Sequence, residues 1–524
     1  MLYFTADSLP LPELLFINNE FVASKSAERY HFHYLRLRVC TISELGTKRT
    51  LIRRGASCRL TLIDPTSGSV VSQKVPIANE ADVEAAIVAV EAAFPLWKKV
   101  LPRERQRMLL RLAELMRKNS QRLAELSRLT LGSPYRSFGE FEITLGADCF
   151  DYFAGWTDKF AGESFPQEDG ILKIVRNEPL GVTAGICPWN SPCATIGMKA
   201  AAALATGNCF ILKPSEKTPF AALALGELVR DAGFPPGVFQ VLSGDGSTGA
   251  LLASHMRVSK ISFTGSVNTG KKIMEMAAKS NLKRVTLELG GKSPAIVFDD
   301  ADIANAVQWC SSAIVANTGQ VCFAASRVYV HEAVYEEFTQ EYLRVMAEKA
   351  KVVGSPDDPI MEIGPLVDAA HFERVAEFIE RGQSDTGKLV VGGKKLGKDG
   401  YFIEPTVFVD VDTGSEIHNE EIFGPVAIVN RFKDEDEVVR IANSTRYGLM
   451  AGVFTENITR ALRVSSELDS GMVGINCVSM LCVQAPFGGT KESGIGRECG
   501  MAALRAFTET KTIMVNMSYG QHKR

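Results

Sequence analysis

Between Gly181 and Glu288 the chain alternates short apolar runs with stretches of helical spacing, and this alternation restricts the possible folds severely. The pattern predicts strands at 182–187, 209–212, 238–242, 260–263 and 284–288, with helices at 192–204, 219–232 and 269–279 among them. Strands linked through helices of this length run parallel, because a parallel neighbour is reached only by a crossover. The expected product is an α/β unit whose sheet is covered by helices on both faces, with ligands taken at the carboxyl ends of its strands.

Those strand ends carry polar groups. Lys213-Pro214-Ser215-Glu216 follows one strand directly and places an ammonium and a carboxylate where an adenosine ribose can sit. Glu216 can accept from both ribose hydroxyls and would repel a 2'-phosphate, which favours NAD over NADP. A capped helix start accounts for Ser215 and Glu216 equally well. Phe263-Thr264-Gly265-Ser266, followed by Gly270, puts a hydroxyl and backbone donors at a helix N-terminus, a setting suited to a pyrophosphate. Pro188-Trp189-Asn190 closes the first strand with an amide, in a turn where asparagine is also common for its backbone alone.

Two further groups are reactive. Glu288 ends an apolar run just before Gly290-Gly291, so it is expected to stand exposed where a strand stops in a turn. Cys322 lies in Gly319-Gln320-Val321-Cys322-Phe323, a glycine-entered loop with apolar flanks. That setting suits a thiol facing a pocket, and also a small buried hydrophobe.

With 524 residues, 46% of them hydrophobic and 23% charged, the chain can bury a large core and should form more than one domain. A net charge of -3 gives no large field for nucleic acid or an acidic membrane. Eleven cysteines without paired spacing, and an opening MLYFTADSLPLPE that lacks a basic n-region, point to free thiols in the cytoplasm. The most apolar segment, 198–212, is interrupted by Thr206, Gly207 and Asn208 and is too short to span a bilayer. Seven histidines without ligand spacing and no CxxC leave no metal site to expect.

LELGGKSP, followed about thirty residues later by GQVCFAASR, resembles the aldehyde dehydrogenase superfamily, and the resemblance runs from about Leu15 to about Val515. It implies a Rossmann-like cofactor domain over 10–160 and 180–289, an α/β catalytic domain over 290–502, and a small oligomerisation arm from 161–179 and 503–524. Cys322 is then the nucleophile at a modestly lowered pKa, Glu288 the general base and Asn190 an oxyanion donor. Cofactor contacts fall on Trp189, Lys213, Ser215, Glu216, Gly246, Gly265, Ser266, Gly270 and Leu289. The motif Glu420-Glu421-Ile422-Phe423-Gly424-Pro425-Val426 adds Glu421 at the nicotinamide ribose and Phe423 packed near the ring.

The implied reaction is NAD-dependent oxidation of an aldehyde. The retained glutamate favours water over coenzyme A as acyl acceptor. A cysteine hydrolase with no hydride step and a non-catalytic structural relative are the alternatives. The tail and a hairpin within 162–176 are expected to pair between subunits of a homodimer or homotetramer. Ser191, Thr195, Met198 and Leu481 stand where members acting on small aldehydes often carry aromatics, which implies medium-chain, aromatic or pathway-intermediate substrates.

The remaining expectations are local. A hairpin over 14–23 turns at Asn18-Asn19. Asp82 caps a helix burying Val83, Ile87, Val90 and Phe94, and Pro102 opens another that carries Met108, Leu112, Leu115 and Leu126. Relative to the family pattern, 27–59 is an atypical insert with eight basic residues and only Glu28 and Glu44 as acids. It reads as an extra surface loop, a targeting or interaction element, or coding sequence foreign to the mature message, the first and third being favoured.

Overall fold

The computed structural model describes residues 10–25, 59–384 and 387–518, so the insert expected at 27–59 lies, apart from Arg59, outside the described residues. An eight-stranded sheet forms the first layer. At its centre lie Phe239–Val241, Cys209–Lys213, Val182–Ile186, Lys260–Thr264 and Arg284–Glu288, side by side in that order and all parallel. Counted along the chain these strands lie 3-2-1-4-5, so connections leave Val182–Ile186 and Lys260–Thr264 in opposite directions and open a crevice at their carboxyl ends. Val182–Ile186 and Cys209–Lys213 are buried at every position, as strands covered by helices on both faces must be. The hairpin Leu15–Ile17 and Glu20–Val22 extends one edge, with Asn18 and Asn19 both at positive φ. Asparagine tolerates that conformation, which the tight turn requires.

Local differences from expectation have local causes. Asn79, not Asp82, caps the helix Glu80–Trp97; Asp82 reaches back to the Asn79 N–H to complete a capping box. The helix opened by Pro102 stops at Lys118, and Leu126 belongs to a separate helix, Ser120–Leu131. Ser266 accepts from Thr269 N–H, so the helix there begins at Val267 rather than 269. Gly246–Ser254 is an unforeseen helix capped by Asp245; its GSTGALLAS sequence is too small-sided to show a helical period.

From Glu288 the chain passes through Gly290-Gly291 into a second sheet of seven strands. Six run parallel, and Lys388–Val391 adds antiparallel to Thr406–Val409 at the edge. A third, three-stranded sheet joins Glu163–Glu168, Ile171–Pro179 and Thr508–Asn516. The tail strand Thr508–Asn516 pairs along its whole length with Ile171–Pro179 of its own chain. The chain enters that strand beside Pro179, where Asn208 Nδ2 donates to Phe507 O at 2.8 Å, so the intrachain register is set at its first residue. Residues 503–506 belong to the preceding helix, Gly500–Ala506, rather than to the arm.

Candidate active site

A cleft of about 980 Å³ opens at the crevice between the strand ends. Trp189 and Asn190 enter it after Val182–Ile186, and Lys213, Ser215 and Glu216 at or after Cys209–Lys213. Gly265 and Ser266 enter after Lys260–Thr264, Leu289 after Arg284–Glu288, and Gly246 from the start of its helix. The second sheet's side contributes Cys322, Glu421 and Phe423. Gly270 lies one turn into its helix, not on the wall. A Cβ there would come 2.7 Å from Leu289 Cδ2, so that glycine allows close packing behind the wall.

Lys213 lines the cleft, but its ammonium is engaged by backbone carbonyls. It is buried and donates to Pro214 O at 2.7 Å and Gly244 O at 2.6 Å, while Glu216, 3.8 Å away, keeps its carboxylate half exposed. Thr264 Oγ1, also at the wall, is buried and has no hydrogen-bond partner among the described residues. Together with the N-terminus of the helix Val267–Lys279, it leaves donors for an anionic ligand. The Glu421 carboxylate accepts from Gly291 N–H at 3.0 Å, and burial pushes its pKa up to about 7. These features fit a dinucleotide: a carboxylate for one ribose, a helix N-terminus for phosphates, and a second carboxylate further along.

Cys322 follows a strained loop. Asn317, Thr318 and Gly319 take φ of 48°, 60° and 72°, and a β-branched residue in that region costs about 1–3 kcal/mol. Side chains hold the strain in place. Thr318 Oγ1 donates to Gly364 O, Gln320 Nε2 to Asn317 O, and Val367 N–H to Gln320 Oε1, each at 2.9 Å. Asn190 is tied into the same loop. Its Nδ2 donates to Gln320 O at 2.9 Å, and Asn317 Nδ2 donates to the Asn190 carbonyl at 2.9 Å. The second Nδ2 hydrogen of Asn190 is left for another acceptor.

The thiol is not lowered in pKa. Burial pushes it well above the ordinary thiol range, the charges of Glu288 and Glu421 add to that, and the N–H groups of Cys322 and Phe323 offset only part of it. Glu288 likewise departs from expectation, being buried at 2% exposure instead of standing out at its turn. Burial and the nearby Glu498 raise its pKa well above the usual carboxylate range, while Lys199 and Arg497 partly oppose this. Its Oε1 has no hydrogen-bond partner among the described residues.

Behind it lies a pair that the sequence reading did not single out as functional. Lys199 Nζ is hydrogen-bonded to Glu498 Oε1, both fully out of water, and Ser262 Oγ donates to the same oxygen at 2.7 Å. One signal was available: Lys199 is the only charged residue in the helix Pro192–Ala205, and a buried ammonium needs a partner.

Residues 52–513 match the family model described as the aldehyde dehydrogenase family. Retinal dehydrogenase 2 of Homo sapiens is 45% identical over 458 residues, which cover 87% of this chain and 88% of that protein. The NAD+ complex of an aldehyde dehydrogenase from Bacillus cereus superposes with a TM-score of 0.88 at 38% identity, over 96% of each chain. An NADP-dependent enzyme of E. coli gives a TM-score of 0.88 at 36% identity, over 96% of this chain and 98% of that one.

Proposed function

The chain belongs to the aldehyde dehydrogenase family of oxidoreductases, and from that premise we propose that it oxidises an aldehyde to its carboxylic acid, with NAD as oxidant and water as acyl acceptor. The observation that carries this reading is that Cys322, Asn190 and Glu421 wall one cleft while Glu288 lies buried close enough for its charge to act on the thiol.

The Cys322 sulfur adds to the aldehyde carbon and forms a thiohemiacetal. Because the thiol holds its proton, addition requires a base, and Glu288 is the carboxylate whose charge acts on it most, ahead of Glu421. The new oxyanion accepts from Cys322 N–H and from the free Nδ2 hydrogen of Asn190; one such donor is worth about 3 kcal/mol of barrier. When bound, NAD supplies the acceptor for the hydride that leaves the substrate carbon. A thioester on Cys322 remains. Once the proton taken from the thiol has passed to solvent, Glu288 takes a proton from water, whose oxygen attacks the thioester; the C–S bond breaks, the Cys322 sulfur takes that proton back, and the acid is released. Lys199 and Arg497 favour the carboxylate form that this step needs.

Absorbance of NADH with a panel of aldehydes tests the proposal. An aldehyde-dependent rise that Cys322→Ala abolishes supports it. Ester cleavage without any rise would favour the cysteine hydrolase, and silence in both assays the structural relative.

NAD rather than NADP rests on Glu216. The first sheet serves the cofactor and the second carries the nucleophile, with the three-stranded sheet as the surface for a homodimer or homotetramer. A cytoplasmic location is supported by nine free cysteines among the described residues. For substrate, the non-aromatic Ser191, Thr195, Met198 and Leu481 favour medium-chain or aromatic aldehydes, and a relative named for retinal, a bulky apolar aldehyde, lies on the same side. A much higher kcat/KM for acetaldehyde than for hexanal or benzaldehyde would overturn that preference.

A further inference from the structure

Phe423, which forms part of the cleft wall, has φ of 63°. A bulky aromatic residue in the left-handed region persists only where its surroundings over-determine it. What fixes it is one helix, Ala369–Ser384. His371 Nε2 donates to Phe423 O at 2.7 Å, and Arg374 donates to Ile422 O at 2.5 Å and to Glu421 O at 2.6 Å. Three successive carbonyls of the strap 421–423 are therefore held by two side chains one turn apart.

His371 is built for a single orientation. A carbonyl partner requires the proton on Nε2. Burial pushes the ring's pKa down to about 4, against the opposing pull of the Phe423 carbonyl, so the imidazole is neutral. The ring packs edge-on against Trp189, with centroids 5.3 Å apart, and against Phe423 at 5.9 Å, while Trp189 and Phe423 meet at 5.3 Å. The His371 backbone N–H donates to Asp368 Oδ1 at 2.8 Å, and Asp368 Oδ2 is in turn 2.6 Å from Lys217 Nζ. The chain just ahead of this helix is pinned to the thiol loop through Thr318 to Gly364 O and through Val367 to Gln320. One segment, 364–374, thus anchors both left-handed stretches of the site.

We propose that His371 is a positioning residue for the cofactor: by holding the Phe423 carbonyl it keeps the strap in its strained form, with Glu421 and Phe423 set against the bound dinucleotide. This rests on reading the cleft as the dinucleotide site, and it goes further by assigning the strap's geometry to His371, a residue of the same wall whose Nε2–H is taken up by the Phe423 carbonyl.

The test measures NAD binding by titration calorimetry and steady-state KM values in the full-length parent, His371→Leu and His371→Gln. The leucine variant is expected to raise Kd and KM for NAD about tenfold, the scale of one lost buried hydrogen bond, with KM for aldehyde unchanged. The glutamine variant, whose amide can donate to the same carbonyl, should recover most of that loss. Should His371→Leu not fold, His371→Asn, polar but shorter, carries the same comparison. Unaltered NAD affinity in the donor-deficient variant would overturn the inference, and so would a glutamine variant as weak as leucine, since ring packing alone would then be at work. A parent that binds no NAD would bring down the reading of the cleft itself, an outcome distinct from both.

Discussion

The sequence places the two candidate reacting groups in one segment, but it does not show their protonation. Cys322 and Glu288 stand close together in sequence, yet what raises both pKa values is burial plus charges from distant stretches, Glu498 and Glu421 among them. A pH profile follows from the sign of the Glu288 shift. Below its raised pKa the carboxyl is protonated and cannot act as a base, so kcat should fall as the pH drops through that raised pKa, and Glu288→Gln should abolish both the activity and that limb. The same shift acts oppositely on stability. A carboxyl that prefers its proton in the fold stabilises it at low pH, and that contribution fades as the pH rises through the folded pKa. Asn190→Ala should lower kcat roughly 100-fold, the effect of losing one oxyanion donor, and single-turnover hydride release measures it. Glu216 lies at the other end of the cleft. Replacing it with serine should raise kcat/KM for NADP relative to NAD about tenfold or more, because the repulsion of a 2'-phosphate disappears.

Among the elements, the parallel strands were legible because each is a short apolar run between helices, whereas Gly246–Ser254 was not, since small residues hide its period. Partnerships between elements were also invisible to local reading. The helix Pro192–Ala205, which carries Lys199 behind the site, has no side-chain cap of its own; Glu142, from the helix Glu140–Ala154, accepts from the N–H groups of Cys193 and Ala194 in its first turn. Burial pushes Glu142 from 4.5 to about 7. Glu142→Leu would orphan two buried N–H groups and should cost about 1–3 kcal/mol in denaturant unfolding. Glu142→Gln keeps an acceptor and removes the titration. Because the folded pKa is the higher one, the parent's stabilisation by this group is complete below about pH 4.5 and is lost through about pH 7. The glutamine variant should therefore gain on the parent as pH rises over that interval. A stability difference that does not vary with pH would show that Glu142 keeps its charge in the fold.

At the scale of the whole molecule, the arm is the part that a single chain leaves unfinished. The resemblance implies pairing of hairpin and tail between subunits; within one chain Thr508–Asn516 already pairs with Ile171–Pro179, in a register that starts where Pro179 meets Thr508. In the order Thr508–Asn516, Ile171–Pro179, Glu163–Glu168 the tail strand is an edge, without a partner on its outer side among the described residues. Along it Met514 is 71% exposed and Val515 38%, and Phe165 on the opposite edge strand is 45% exposed. An exposed edge carrying apolar side chains is normally covered. A second copy of the chain is the occupant expected from the family, and the parent should run in solution at two or four times 57.1 kDa. Met514→Glu adds a charge to that face while leaving the backbone pairing with Ile171–Pro179 untouched, so it should shift the mass toward 57.1 kDa without unfolding the chain. Light scattering of parent and variant at matched concentration reads this directly. A parent already monomeric would mean that the arm closes on itself, and its exposed methionine and valine would then need another explanation.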